Sequence, residues 1–171
     1  NEEQRKLETV TVTGTLIRGA EAVGSQTIQL DEDAITVSGA STTNELLGEL
    51  PQVANFFNQR FDNDPRVADR LQVTRPNLRN LPGVLSATGS TTLLLVDGQR
   101  VTPMGVDQAS FDPDFIPPGA IQRIEVVTDG GSSLYGADAV GGVINFITKD
   151  EYDGIEIDGG IEIGDDYSAW N

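Results

Sequence analysis

The sequence of 171 residues contains neither cysteine nor histidine. Without cysteine there are no structural disulfides and no thiolate catalysis, and without either residue the usual zinc ligand sets cannot form. The missing histidine also removes the commonest general base, which argues against an enzyme. A pair of carboxylates could still act together in catalysis, but no spacing in the chain points to such a pair.

Basic residues and long apolar runs are scarce as well. The 11 Lys and Arg residues stand against 27 Asp and Glu residues, and the formal net charge is -16. Nucleic acid is therefore not an expected partner, because phosphate contacts need clustered Lys and Arg. No apolar run approaches the roughly 20 residues of a membrane-spanning helix. The length suffices for one domain with its own core.

The candidate strands and helices are short. Apolar or β-branched runs predict strands at residues 9–13, 27–30, 34–37, 71–74, 121–128 and 142–148. Residues 44–50 predict a helix, because Thr42 or Thr43 can cap its free N–H groups and Pro51 ends it. A second, brief helix is expected at residues 134–135.

The clearest local pattern is a hairpin at residues 92–101. Asp97 and Gly98 lie between the apolar run at residues 92–96 and a second arm, and both residues of a two-residue type I′ turn need a positive φ. The first arm is apolar without interruption, which predicts a strand covered on both faces.

Two long polar loops are expected at residues 55–69 and 102–118. Asp62, Asp64 and Asp69 in the first loop could bind calcium through hard oxygen ligands. The spacing is not that of an EF-hand, and a solvated loop explains these residues more simply.

Residues 155–163 alternate between apolar and acidic side chains, which predicts one strand of about nine residues. Its length and its two faces match a transmembrane barrel strand between lipid and lumen. A soluble amphipathic edge strand has the same pattern. If the barrel interpretation holds, the chain is part of a larger protein, because a barrel needs at least about eight strands.

The chain resembles the plug domain of TonB-dependent outer-membrane receptors in several segments, which occur in the family's order. These are residues 8–13 (the TonB box), 45–51 (the early plug helix with its Leu-Pro stop), 77–79 (Ile-Arg-Gly), 94–101 (the Asp-Gly hairpin), 116–117 and 121–126 (Ile-Pro and Glu-Arg-Ile-Glu-Val), and 134–149 (the glycine-rich closing motif). The chain departs from the family's pattern at two places: Asn80 replaces the glycine of Ile-Arg-Gly, and residues 128–131 replace Arg-Gly-Pro. These departures prevent an assignment to a subfamily.

The resemblance implies an α+β plug with a small mixed four-stranded sheet, short helices and long apical loops. The first strand of a transmembrane β-barrel that this chain does not contain would follow. Residues 1–13 would then be a disordered tail with the TonB box, residues 14–150 the plug domain, and residues 151–171 the linker and first barrel strand.

The resemblance also implies a site for the periplasmic protein TonB. A β-branched, exposed strand suits recognition by strand addition, in which the partner's sheet pairs with its free backbone groups. The residues concerned are Glu8, Thr9, Val10, Thr11, Val12 and Thr13. The alternative is that they form the first strand of the plug's own sheet.

In this family the two long loops would lie at the external apex, under the solute. The candidate ligand-facing residues are Phe56, Phe57, Arg60, Phe61, Met104, Asp107 and Phe111. Ordinary packing explains the aromatic residues equally well.

Four arginines are conspicuous in a chain so poor in basic residues: Arg75, Arg79, Arg100 and Arg123. Guanidinium groups pair with carboxylates in a bidentate manner, so some of these residues could hold the plug to acidic residues of the barrel wall. The alternative is pairing with the chain's own Asp and Glu.

As a whole, the resemblance implies the plug and gate of an active transporter in the bacterial outer membrane. The transporter would take up a scarce small solute, such as a siderophore, vitamin or oligosaccharide, with proton-motive force relayed by TonB. No catalytic residue, metal or cofactor is expected. The alternative is a stand-alone periplasmic or surface ligand-binding module without a transport role.

Overall fold

The computed structural model describes residues 27–57, 74–79, 81, 91–103, 111–129, 131–150, 161–163 and 168–170, with residues 54–57, 161–163 and 168–170 as backbone only. The strands are β1 (Thr27–Asp31), β2 (Val53–Phe57), β3 (Arg75–Leu78), β4 (Thr92–Val96), β5 (Gln99–Arg100), β6 (Ile121–Val127), β7 (Gly142–Thr148), β8 (Ile161–Ile163) and β9 (Ser168–Trp170). The α-helices are α1 (Glu32–Ser38), α2 (Thr43–Gly48) and α3 (Gly131–Tyr135), and 3-10 helices span Pro113–Phe115, Pro118–Ala120 and Ala137–Ala139.

A mixed five-stranded sheet of order β1-β6-β7-β4-β5 forms the centre of the fold. Strands β4 and β7 are parallel, and the other neighbouring pairs are antiparallel. The expected α+β class with a small mixed sheet is confirmed. The sheet has one strand more than expected, because the second arm of the hairpin pairs as the two-residue strand β5.

Both faces of the sheet are buried. One face packs against α2 through a cluster that includes Leu46, Ile124 and Phe146. The other face packs Leu95 and Val143 against the segment of α3 and the following 3-10 helix. Successive side chains of a strand point to opposite faces, so the uninterrupted apolar arm at residues 92–96 is buried on both sides, as its pattern predicts.

The hairpin has the expected turn. Asp97 and Gly98 have φ values of 50° and 76°, so both occupy the left-handed region. The Asp97 carboxylate accepts hydrogen bonds from the Thr148 N–H (2.9 Å) and the Thr148 hydroxyl (2.8 Å). The turn is therefore tied to the end of β7.

The helix expected near residues 44–50 is confirmed as α2. Thr42 and Glu45 form a capping box, in which the Thr42 hydroxyl accepts from the Glu45 N–H (3.2 Å) and the Glu45 carboxylate accepts from the Thr42 N–H (3.3 Å). Leu46 and Leu47 are fully buried, so the helix is anchored on the core.

The strand expected at residues 34–37 is wrong, because these residues belong to α1. Asp31 caps the helix by accepting a hydrogen bond from the Ala34 N–H (2.9 Å), and Gly39 ends it with a φ of 66°. Glu32 and Asp33 in the first turn are favourable to the helix dipole. These end signals outweigh the weak strand preference of the β-branched residues between them.

Strands β2 and β3 form a separate antiparallel pair. Phe56 and Phe57, expected in a loop, therefore lie in a strand. Pro76 lies within β3, opposite Phe56. A two-stranded ladder has only edge strands, which tolerate a residue without an N–H group. Of the strand expected at residues 71–74, only Thr74 is described, and it precedes β3.

At the end of the chain, β8 and β9 pair in antiparallel register, with Ile161 opposite Trp170. Residues 161–163 are the described part of the strand expected at residues 155–163. No helix within the described ranges is long and apolar enough to cross a membrane.

Candidate functional site

Most of the residues expected to bind partners lie outside the described residues. These are the TonB-box residues 8–13, Arg60, Phe61, Met104 and Asp107, together with the acidic residues Asp62, Asp64 and Asp69. Their assignments stay predictions. The described residues show where the chain leads into and out of these segments.

Phe111 is a core residue, which favours the alternative of ordinary packing over a ligand-facing role. Its side chain is 5% exposed, and it belongs to the cluster that contains Leu46 and Phe146. Its ring meets that of Phe115 edge-to-face, with centroids 6.1 Å apart. Phe115 is the exposed member of this pair, at 69%.

Asp112, next to Phe111, joins three segments that are far apart in sequence. Its Oδ1 accepts a hydrogen bond from the side-chain amide of Asn44 on α2 (3.1 Å), and its Oδ2 accepts one from the Thr74 N–H (2.9 Å). Oδ1 also accepts from the Asp114 N–H (3.1 Å), which caps the Pro113–Phe115 3-10 helix. We call the contact of Asp112 with Asn44 and Thr74 the Asp112 junction.

Two further contacts fix this 3-10 helix on the first turn of α2. The Asp114 carboxylate accepts a hydrogen bond from the Asn44 N–H (2.8 Å). The buried Thr43 hydroxyl donates to the carbonyl of Ile116. The segment at residues 112–116 is therefore held by α2 along its length.

The Asp112 junction brings Thr74, which precedes β3, next to the first turn of α2. Asn44, Asp112 and Asp114 are not among the functional candidates that the sequence suggests. The available signal was Asp112 before Pro113, a common start of a helical turn, but it does not reveal the distant partners.

Arg75 lies inside the domain, fully buried on β3. Burial lowers the pKa of its guanidinium below the ordinary value by removing water from the charged form. This burial favours the alternative of a contact within its own chain over a contact with a surrounding barrel wall.

The other three arginines contact their own chain. Arg79 Nη1 donates to the Thr128 carbonyl (3.4 Å) and lies 3.9 Å from the Asp129 carboxylate. Arg123 Nε pairs with the buried Glu125 carboxylate at 2.9 Å. These contacts fit the alternative of internal pairing and leave a barrel contact as a prediction.

Arg100 connects the hairpin with the glycine-rich segment. Its Nη1 donates to the Asp138 carboxylate at 2.8 Å, and its Nη2 donates to the Tyr135 carbonyl. About half of the Arg100 side chain stays exposed, so the ion pair is screened by water and contributes little stability by itself.

Close packing explains the glycines around α3 and the start of β7. A Cβ on Gly142 would lie 2.5 Å from the Val127 carbonyl oxygen, and Gly142 has a φ of 133°. A Cβ on Gly131 would lie 2.9 Å from the Val143 side chain. These two glycines therefore allow β7 to pack closely against its neighbours.

The described residues do not bring together a set of metal ligands. Among them, no group of three or more His, Cys, Asp or Glu side chains could hold a metal ion. The carboxylates Asp97 and Asp112 are engaged in hydrogen bonds with backbone groups, as structural ties.

Comparison with known proteins gives a match to one family. The family model described as TonB-dependent Receptor Plug Domain matches residues 19–143. This range contains the central sheet up to the first residues of β7, all three α-helices and the Asp112 junction.

Several solved structures have a fold similar to that of this chain. The chain is similar to the unliganded ferric citrate transporter FecA at 27% identity, with a TM-score of 0.51 and coverage of 72% of this chain and 17% of that chain. It matches the ferric enterobactin receptor of Pseudomonas aeruginosa, in complex with enterobactin, at 22% identity, a TM-score of 0.51 and coverage of 73% and 18%.

The ferric yersiniabactin uptake receptor FyuA of Yersinia pestis has the same fold, at 19% identity, a TM-score of 0.50 and coverage of 75% and 18%. The two receptors below 25% identity show the fold alone. The chain spans less than a fifth of the length of each of these proteins.

Proposed function

The chain belongs to the family of TonB-dependent receptor plug domains, and from this premise we propose that it is the plug and gate of an active transporter in the bacterial outer membrane. The observation that carries the proposal is the family match over residues 19–143. A β-barrel from the same protein would surround the plug, which would close the barrel at rest.

The fold suits a gate that must withstand force without losing its core. Strands β4 and β7 are buried on both faces, and the hairpin turn is fastened to the end of β7 by Asp97. Opening would therefore begin in segments outside this central part, since weakly packed segments open at the lowest free-energy cost.

We propose that the energy input enters at Glu8, Thr9, Val10, Thr11, Val12 and Thr13. The C-terminal domain of TonB would add to this segment as a strand, with backbone hydrogen bonds that need no particular side chain. Pulling by TonB, driven by the proton gradient of the inner membrane, would then displace part of the plug.

The proposed solute is a ferric complex of the siderophore or citrate class. This rests on the similar structures, which are a ferric citrate transporter at 27% identity and receptors for ferric enterobactin and ferric yersiniabactin. Phe56, Phe57, Arg60, Phe61, Met104 and Asp107 stay the proposed ligand-facing residues. Phe111 is left out because it is buried in the core.

We further propose that Arg79 and Arg100 face the barrel wall. Their side chains are 49% and 51% exposed and pair with the still more exposed Asp129 (77%) and Asp138 (63%). Exposed ion pairs exchange partners at small cost. Arg123 is the weaker candidate, since its side chain is 12% exposed and pairs with a buried carboxylate.

Uptake of radioactive iron tests this function. Cells that produce the full-length protein would be given iron bound to citrate, enterobactin or yersiniabactin, with and without a protonophore. We expect uptake of at least one complex and its loss when the proton gradient is dissipated. Binding at the cell surface without energy-dependent uptake would support a binding module instead of a transporter.

A further inference from the structure

The hairpin turn of Asp97 and Gly98 is held by strand β7 through three residues of that strand. The Asp97 N–H donates a hydrogen bond to the Phe146 carbonyl (2.9 Å). The Gly98 N–H donates to the side-chain oxygen of Asn145 (3.0 Å). The Asp97 carboxylate accepts from the N–H and from the hydroxyl of Thr148, one bond at each oxygen. Both the side chain of Asp97 and the backbone nitrogen that follows it are therefore engaged.

Asn145 is a polar residue in a fully buried position of β7, between the buried residues Ile144 and Phe146. A buried amide side chain needs hydrogen-bond partners to offset the loss of water, whereas an aliphatic side chain would fit a central strand without them. The contact of its oxygen with the Gly98 N–H therefore links this residue to the chemistry of the turn.

An aspartate followed by a glycine is prone to a spontaneous rearrangement of the backbone. The glycine nitrogen attacks the Cγ of the aspartate, so that an N–Cγ bond forms, a Cγ–O bond breaks, and the hydroxyl leaves with the amide proton as water. Water then opens the imide ring at either carbonyl. One opening returns aspartate, and the other gives isoaspartate, in which the backbone runs through the former side chain. Glycine permits the attack because no side chain shields its nitrogen.

We propose that Asn145 and Thr148 protect the Asp97-Gly98 peptide from this rearrangement. Ring closure needs a rotation about the Cα–C bond of Asp97, which moves the Gly98 nitrogen, and a rotation about its Cα–Cβ bond, which moves Cγ. The hydrogen bond to Asn145 opposes the first rotation, and the hydrogen bonds from Thr148 oppose the second. The inference does not depend on the proposed transport role.

Burial does not protect this turn, because Asp97 is exposed and Gly98 is partly exposed, so water reaches both. The two residues have φ values of 50° and 76°, and Asp-Gly is one of the few pairs that suit such a turn. The geometry of the hairpin thus favours a reactive dipeptide. Isoaspartate would lengthen the backbone of the turn and move the carboxylate from Cβ to Cα, and the contact with Thr148 would be lost.

A second dipeptide of the same kind, Asp129-Gly130, serves as a reference within the chain. Asp129 follows the end of β6 that pairs with Val143, whereas Thr148 lies at the other end of β7. General unfolding would speed the rearrangement at both aspartates. Loss of the contacts with Asn145 or Thr148 would speed it at Asp97 alone.

Incubation of the full-length protein at neutral pH, in water enriched in heavy oxygen, measures the reaction. Each opening of the ring adds a labelled oxygen, and mass spectrometry of the peptides locates the label and the isoaspartate. We expect label at Asp97 to accumulate at least about tenfold more slowly in the folded protein than in denaturant. Equal rates in the two states would overturn the proposal.

Asn145→Ala removes the acceptor of the Gly98 N–H. We expect label at Asp97 to accumulate about tenfold faster than in the wild type, with no change at Asp129. An unchanged rate at Asp97 would overturn the proposal. Equal increases at Asp97 and Asp129 in a folded variant would overturn it as well, because they would show a general opening of the domain.

Val143→Ala is the matched control, since it also truncates a fully buried side chain of β7. Val143 pairs with Leu93 and Val127, away from the turn. We expect the ratio of the rates at Asp97 and Asp129 to stay as in the wild type. A rise of this ratio as large as in Asn145→Ala would contradict a specific role of the Asn145 amide.

Thr148→Val tests the second contact without a change in the core, because Thr148 is partly exposed. The variant loses the hydroxyl donor to Asp97 and keeps the N–H donor. We expect label at Asp97 to accumulate about threefold faster, with no change at Asp129. This variant decides the matter even if Asn145→Ala does not fold, and an unchanged rate at Asp97 would overturn the proposal.

Discussion

At the scale of single residues, Gly142 shows how closely the start of β7 approaches its neighbours. Its φ of 133° is rarely adopted by residues with a side chain, and an added Cβ would lie 2.5 Å from a backbone oxygen and 2.7 Å from Leu78. Neither the φ angle of Gly142 nor the neighbouring backbone oxygen can adjust to a side chain without a large cost in free energy. The glycine is therefore required by the packing of the sheet.

We predict that Gly142→Ala lowers the free energy of unfolding by about 3 kcal/mol or more, from backbone strain and overpacking together. Gly39→Ala is the control, because Gly39 also has a positive φ but no atom lies within 4 Å of its added Cβ. There we expect a loss of about 1 kcal/mol. Denaturant unfolding of the full-length protein measures both, and equal losses would contradict the close approach at Gly142.

Asp97 combines a turn conformation with an acceptor role. We predict that Asp97→Ala lowers the free energy of unfolding by about 2–3 kcal/mol, since it leaves the Thr148 N–H without its acceptor. Asp97→Asn keeps one acceptor oxygen and a residue that tolerates a φ of 50°, so we expect a loss at least about 1 kcal/mol smaller. The same denaturation experiment compares them, and equal losses would show that the acceptor role is unimportant.

Residue roles that depend on distant partners could not be predicted from the sequence. Phe111 was placed on a loop because its neighbours are polar, whereas tertiary packing buries its ring. For Arg75 the sequence leaves open a contact with a barrel wall or pairing within the chain, and only tertiary packing shows that it is fully buried. The role of Asp112 depends on Asn44 and Thr74, and no local pattern encodes such a contact.

At the scale of secondary-structure elements, the ends of the helices are governed by local chemistry. The capping box of Thr42 and Glu45 and the Asp31 cap of α1 each satisfy backbone N–H groups that the helix leaves free. The first was partly visible in the sequence, since Thr42 was one of two candidate caps. The second was overlooked because Ile35, Thr36 and Val37 resemble a strand.

Removal of the α2 cap tests this explanation. We predict that Thr42→Ala lowers the free energy of unfolding by about 1 kcal/mol, because the Glu45 N–H loses its acceptor. The control is Thr36→Ala in the exposed interior of α1, where the hydroxyl donates to the Glu32 carbonyl. Alanine is the better helix former there, so we expect no loss. Thermal unfolding of the two variants decides, and a loss in Thr36→Ala as large as in Thr42→Ala would contradict the capping account.

The elements with the strongest local signals were predicted correctly. The Asp97-Gly98 turn forms with both φ values positive, and β4, β6 and β7 lie close to the expected bounds. The pairing of β2 with β3 could not be predicted, because it joins residues about twenty positions apart and places Pro76 inside a strand. Local propensity carries no information about such a pairing.

At the scale of the whole molecule, the strand order β1-β6-β7-β4-β5 places β7 at the centre of the sheet, between β6 and β4. The chain leaves β7 at Thr148, where Asp97 fixes it, and Lys149 reaches back to Glu32 on α1 with an ion pair of 2.9 Å. This arrangement gives the plug a well-fixed exit towards the following residues. The fold class and family were predictable from ordered motifs, whereas the solute was not, because the chain spans less than a fifth of the similar receptors.

We propose that this plug opens when TonB acts on residues 8–13. The most direct measurement is binding of the full-length protein to the immobilised C-terminal domain of TonB. A variant that lacks residues 8–13 is compared with one that lacks residues 1–6, which removes a stretch of the same length and leaves the box intact. We predict that deletion of residues 8–13 abolishes binding and deletion of residues 1–6 preserves it. Unchanged binding after deletion of residues 8–13 would contradict the account.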